Sequence, residues 1–224
     1  MSETIGTQAE AEEIFSFVLR YNAWKQMERN NEFAAYEFSH HAEMLRLHRQ
    51  FPDDPWYRHP GPLRCHYAYG PNIEKPELPE GWKFLAAGVS RRAYLSPSGV
   101  VYKVQRNPES DYQGNKGEHE TAERVRKSGD VRGAYIPRTS LYKVPGSWVI
   151  ALEYMNGIRG DDHWEMYCYP GERCRCAFPG YVRCASAIKR ELQNKLGLSD
   201  LHNENVLWVP SQRVWAVVDL GLAN

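Results

Sequence analysis

No apolar run in these 224 residues approaches the roughly 20 that a membrane-spanning helix needs, so no stretch reads as a transmembrane segment. Charge of one sign is not in excess either. Twenty-eight basic and 28 acidic side chains give a formal net charge of zero and a pI near 7.1. A nucleic-acid-binding chain is expected to carry a basic footprint, so nucleic acid is an unlikely partner on composition. Residues 1–13 are polar and acidic, unlike a secretory signal. Cysteine is scarce and odd in number, with five in all. The expectation is a cytoplasmic protein whose cysteines are thiols or metal ligands rather than disulfides. No internal repeat is visible, and the length suits one domain with its own core, with or without a small appendage.

Residues 8–29 place Ile14, Phe15, Val18, Leu19, Tyr21 and Trp24 at helical spacing. Residues 32–50 repeat the pattern with Phe33, Tyr36, Phe38, Met44 and Leu47. Asn30-Asn31 between them suits a turn, which predicts a helical hairpin over 1–50, an arm for a partner or a lid. His40, His41 and His48, with Glu43 nearby, offer metal-ligand types, but solvated or capped histidines are the simpler expectation. Residues 51–81 hold Pro52, Pro55, Pro60, Pro62, Pro71, Pro76 and Pro79. Each proline fixes φ and removes a donor, so this stretch is expected to be an extended connector, with the main domain over 82–224.

From Trp82 the pattern turns strand-like. Phe84 to Leu95 reads as a hairpin around Gly88, and Val100-Val101-Tyr102-Lys103-Val104 as a strand with one charge in its middle. Period two puts Val101 and Lys103 on one face, where an ammonium is costly unless paired. Its partner is expected on the helix predicted over 115–128. There Glu118 shares the face of Ala122 and Val125, whereas Glu120 lies about 200° from Ala122 and points outward. Glu118 is therefore the first choice and Glu120 the second. Two more strands follow, around Tyr135 to Thr139 and Trp148 to Met155.

Cys168, Cys174, Cys176 and Cys184 crowd a Pro/Gly-rich segment, and four thiolates could hold one tetrahedral zinc. Neither pair has the two-residue spacing of a zinc knuckle, so ordinary thiols are the competing reading. Cys65 has no evident partner. A helix over 183–196, with Ala185, Ile188, Leu192 and Leu196 on one face, is closed by Gly197. Then come Ser199-Asp200-Leu201-His202-Asn203-Glu204-Asn205, a short apolar strand, a turn at Pro210-Ser211, and a second strand ending in Asp219-Leu220-Gly221. Asp200, Asn205 and Asp219 thus sit at the ends of one hairpin. Such an oxygen-rich set suits magnesium, completed by water and phosphate.

Asp200-Leu201-His202-x-x-Asn205 followed by Asp219-x-Gly221 resembles the catalytic and metal-binding loops of the protein-kinase superfamily, in the wording closest to its aminoglycoside and choline kinase branch. The resemblance covers about 82–221, and its elements occur in the superfamily's order. It implies an α+β kinase-like fold with an antiparallel-sheet N-lobe (82–155), a Cys-containing segment (156–184) and a catalytic cradle (185–224) in place of a full C-lobe. It also implies ATP and Mg²⁺. Gly88 and Ser90 would lie in the phosphate-covering loop, whose outer glycine positions are Ala86 and Arg91. Val101 and Leu207 would line the adenine site, with Leu152 behind it. The Glu153 carbonyl and the Met155 amide would bond adenine, and Lys103, paired with Glu118, would hold the α- and β-phosphates. Asn205 and Asp219 would hold magnesium, and Asp200 would take the proton of a hydroxyl acceptor on a protein or small molecule. Leu198 and Ser199 stand where the family usually has His and often Arg. Two functions are compatible with this pattern: a phosphotransferase, or a pseudokinase that binds nucleotide or serves as a scaffold.

Overall fold

The computed structural model of the chain describes residues 4–53, 73–107, 114–128, 133–159, 185–198, 201 and 205–220. Asp200, Gly221, Cys65 and the four clustered cysteines lie outside the described residues. The chain forms two compact units, one from 1–16 with 78–224 and the other from 17–77.

One helix, α1 (Gln8–Gln50), runs 43 residues without interruption. The turn expected at Asn30-Asn31 is not formed, so the predicted hairpin is corrected to a single helix of about 65 Å at 1.5 Å per residue. The physical reason is in the composition. No Gly or Pro occurs between Thr7 and Phe51, and two asparagines cost only a few tenths of a kcal/mol each relative to better helix formers. Asn30 is absorbed by a bond from Gln26 Nε2 at 3.0 Å, and Lys25–Glu28 and Glu43–Arg46 pair along the exposed surface. In the 17–77 unit, Ile73 N approaches Met27 Sδ at 3.2 Å and Lys75 Nζ lies over the Trp24 ring at 5.4 Å.

In the other unit the main sheet has five antiparallel strands in the order β1 (Lys83–Ala87), β2 (Arg91–Leu95), β3 (Val100–Gln105), β6 (Ser147–Glu153) and β5 (Thr139–Val144). Helix α2 (Gly114–Ser128) follows β3. Register places Ala93 and Ile150 opposite Lys103, and Leu95 and Leu152 opposite Val101. Facing residues share a sheet face, so Arg91, two residues before Ala93, belongs to the face of Lys103. A second sheet orders β4 (Ala134–Tyr135), β9 (Val214–Val217), β8 (Val206–Val209) and β7 (Ile158–Arg159), with β4 parallel to β9. The stretch expected as one strand from Tyr135 to Thr139 is therefore divided between the two sheets. α3 (Ala185–Leu196) ends at Gly197, whose φ of 65° and N–H bond to the Gln193 carbonyl at 3.0 Å cap it.

Ala122 and Val125 of α2, Ile188 and Leu192 of α3, and Leu198, Leu201, Val206, Trp208, Trp215, Val217 and Leu220 form one buried cluster. This core fixes the C-terminal hairpin β8–β9 against α2 and so brings Asp219 to the sheet. The architecture is α+β, with an antiparallel sheet, a helix after its third strand, and a helix and hairpin following.

The other sheet face is taken by the start of the chain. Tyr102 OH accepts from Thr7 N at 2.9 Å and donates to Glu10 Oε2 at 2.7 Å, while Ile5 N reaches Ser140 Oγ and Tyr142 OH donates to the Ile5 carbonyl. Thr7 caps α1 by accepting from Glu10 N at 3.2 Å. Gly6 is obligatory here: its φ is 75°, and a Cβ would come within 2.1 Å of Tyr102 OH.

Candidate active site

A charged residue in a sheet interior has to be neutralised, and Lys103 is neutralised from two directions. Its Nζ donates to Glu118 Oε1 of α2 at 2.7 Å and to the Val218 carbonyl at 2.7 Å, with Asp219 Oδ1 at 3.5 Å. Glu118 is 2 % exposed, whereas the side chain of Glu120 is 64 % exposed and only loosely paired with Lys116. The helical repeat explains the difference, since Glu118 falls on the stripe of Ala122 and Val125.

A third charged element enters from β2. Arg91 Nη1 donates to Glu118 Oε2, and its Nη2 donates to Asp219 Oδ1 at 2.7 Å. Lys103 and Arg91 thus share Glu118 and Asp219 between them, two cations against two carboxylates. Removing any of these charges from water costs several kcal/mol unless a partner is present, and here each has two. Burial pushes the Asp219 carboxyl up, but Lys103 and Arg91 outweigh it and hold it below the usual carboxylate range. Its side chain keeps 35 % of its surface open to solvent, against 13 % for Arg91 and 3 % for Glu118.

Backbone contacts set the cluster. Asn115 Nδ2 donates to the carbonyls of Lys103 at 2.9 Å and Trp148 at 2.7 Å, locking the first turn of α2 to β3 and β6. Val218 N donates to the Asn205 carbonyl at 2.8 Å, which sets Asn205 beside the residue preceding Asp219. From sequence, Arg91 stands at an outer glycine position of the loop, which it changes and to which it adds a charge. The signal that could have placed it is the strand period of two, which carries Arg91 onto the face of Ala93 and Lys103.

The other expected site residues fall as follows. Gly88 N donates to the Arg91 carbonyl at 2.9 Å, and Ser90 O accepts from Arg106 N at 2.8 Å, so both belong to the β1–β2 turn. Gly88 is not sterically required, since a Cβ there would meet nothing nearer than the Arg91 carbonyl at 4.0 Å. Val101 is half-buried on the Lys103 face. The Met155 side chain is buried against Val209 and Ala216, with Leu207, Tyr135, Val214 and Val218 packed on that group. Glu153 turns its carboxylate to Tyr135 OH at 2.6 Å and to Arg138 N at 3.4 Å. Burial raises its pKa, but these bonds and the Arg138 charge bring it below the usual value. Gly157 admits close packing behind this segment, since a Cβ would lie 2.7 Å from the Trp208 carbonyl.

Among the described residues, no three His, Cys, Asp or Glu side chains come together as a metal site. The helix histidines do not assemble one, as His40 stacks on Tyr36 and Glu43 pairs with Arg46. Among the described residues no helix is long and apolar enough to cross a membrane.

No protein-family model and no curated protein matches the chain. Among solved structures it is similar to the Mycobacterium tuberculosis PknI kinase domain, at 18% identity over 68% of this chain and 64% of that one, with a TM-score of 0.35. A mutant form of the same domain gives 19% identity over 65% and 61% of the two chains, with a TM-score of 0.37. A third is APH(2")-IIia in its complex with GDP and kanamycin, at 12% identity over 82% of this chain and 73% of that one, with a TM-score of 0.36. The chain spans about three-fifths of the length of the PknI domains it matches.

Proposed function

We propose that the chain is a kinase-like phosphotransferase that moves the γ-phosphoryl group of ATP to a hydroxyl on a protein or small molecule. The observation that carries this reading is the convergence of Lys103, Glu118 and Asp219 from β3, α2 and the segment after β9. A cation held by one carboxylate beside a second, partly open carboxylate is what polyphosphate binding requires, because phosphoryl transfer depends mainly on positioning and charge neutralisation. Lys103 would neutralise the α- and β-phosphates, with Glu118 fixing its position. Val101, Leu207 and Met155 would border the adenine, with the Glu153 carbonyl and Met155 amide as its polar partners and Gly88 and Ser90 over the phosphates. The bond from the γ-phosphorus to its bridging oxygen breaks, a bond to the acceptor oxygen forms, and Asp200 takes the acceptor's proton.

Asp219 and Asn205 offer hard oxygen donors and fit magnesium in chemical type. When bound, the ion would supply positive charge that offsets the charge of the phosphates. A divalent-dependent ATP affinity, weakened at least about tenfold by Lys103→Met, is the expected result. Equal affinity in the two proteins would place the nucleotide elsewhere or exclude it.

One observation favours a second reading, a pseudokinase that binds nucleotide or serves as a scaffold. Arg91 occupies the carboxylate that a catalytic metal would use. Phosphate turnover separates the two readings.

A further inference from the structure

The Arg91–Asp219 contact has a consequence for ligand entry, and it rests on the phosphotransferase reading only in taking Asp219 as a carboxylate that a divalent ion would use. Oδ1 of Asp219 already faces two cations, Nη2 of Arg91 at 2.7 Å and Nζ of Lys103 at 3.5 Å. Arg91 is not a loosely held surface residue. Its guanidinium bridges carboxylates from α2 and from the segment after β9, and its own strand is tied to β3 through the pairing Arg91↔Gln105. A divalent ion approaching Asp219 therefore meets like charge at hydrogen-bond range from the carboxylate it seeks. At Oδ1 it also competes with an existing charge-assisted bond. Lys103 has Glu118 and the Val218 carbonyl as nearer acceptors, so the main obstacle on Asp219 is Arg91.

We propose that Arg91 is the specificity-determining residue of this site, barring a bare divalent cation from Asp219. The cation gains access only when another anion takes the guanidinium, and in the reading above that anion is the nucleotide's polyphosphate. Arg91 lies at the end of the β1–β2 turn, on the sheet face of Lys103, where both cations can serve one polyphosphate.

The test is binding of Mn²⁺ alone, followed as loss of the free-ion electron paramagnetic resonance signal, to the full chain without nucleotide. Wild type should bind weakly. Arg91→Gln should bind about tenfold more tightly, within the usual range of coupling between neighbouring sites. Arg91→Lys, which keeps a cation, should stay near wild type and reports even if Arg91→Gln fails to fold. The same substitution at Arg92, the next residue, should leave Mn²⁺ affinity unchanged. Equal Mn²⁺ affinity in wild type and Arg91→Gln, or tight binding by Arg91→Lys, overturns the proposal. ADP titrated in parallel reads the nucleotide site separately. If Arg91→Gln gains Mn²⁺ but no protein binds ADP, the phosphotransferase reading falls and the role of Arg91 stands.

Discussion

Lys103 and Glu118 are 15 positions apart in the chain and 2.7 Å apart in space, and this pair ties the third strand of the sheet to helix α2. The pair does not stand alone, because Arg91 is a second cation on Glu118. Lys103→Met therefore leaves Glu118 neutralised. The expected cost is about 1–3 kcal/mol, a melting temperature lower by a few degrees, in contrast to the larger loss when a buried pair has no second partner. Differential scanning calorimetry checks it. Unfolding of the variant at ambient temperature would mean that Arg91 gives no cover.

Glu118→Gln should be the more damaging change. It removes the negative charge that both cations share and turns one acceptor oxygen into a donor, leaving Asp219 as the carboxylate that Lys103 and Arg91 both still face. A loss of about 3–5 kcal/mol is expected in urea unfolding, exceeding that of Glu120→Gln, which should lie within about 0.5 kcal/mol of wild type.

Acid should weaken the 1–16/78–224 unit through three carboxylates whose folded pKa values lie below their ordinary ones. For Asp219, burial opposes and Lys103 and Arg91 prevail; for Glu10, burial opposes and bonds from Ser98, Tyr102 and Thr7 prevail; Glu153 behaves likewise with Tyr135 and Arg138. A depressed pKa means the unfolded chain binds more protons in the window between the two values. The stabilisation is thus complete above the unfolded pKa, about 4, and is lost as pH falls through the folded one. Melting temperature should be flat in this respect from about pH 7 to 5 and fall below that. Asp219→Asn and Glu10→Gln should each make the acid limb shallower.

Gly6→Ala should destabilise by about 2–4 kcal/mol, combining a left-handed φ with a Cβ driven onto the Tyr102 hydroxyl. Tyr102→Phe removes the hydroxyl that serves Thr7 and Glu10 and should cost about 1–3 kcal/mol. Combined, the two changes should cost less than their sum, because deleting the hydroxyl relieves the clash. Additive losses in urea would show that the start of the chain does not dock on Tyr102.

Much of this arrangement is legible in the residues themselves. Continuous apolar runs mark β3 and β6, and the 100° repeat of α2 turns Glu118 inward with Ala122 and Val125. Other features depend on distance in the chain. Nothing local to Arg91 says that its side chain meets Asp219, 128 positions later. The docking of residues 5–10 depends on Tyr102, Ser140 and Tyr142, so those residues cannot be assigned to the sheet unit by their own pattern. The turn expected at Asn30-Asn31 does not form, for a different reason. Asparagine favours turns, but its penalty is small beside the continuous helix-forming sequence on either side. Spin labels at positions 20 and 41 would check this within the 17–77 unit. A continuous helix places those backbones about 31 Å apart, whereas a hairpin would bring them to roughly 10 Å.

Phosphate transfer at the proposed Lys103, Glu118 and Asp219 site is tested by phosphate released or transferred from ATP per protein molecule over hours, wild type against Asp200→Asn. A carboxylate that takes the acceptor's proton as a base acts mainly in the transition state, and Asn is nearly isosteric with Asp. Turnover should therefore fall at least about a hundredfold while nucleotide affinity stays within about threefold. Identical traces at background level, with ATP demonstrably bound to both proteins, would contradict the phosphotransferase account and leave a nucleotide-binding scaffold in its place.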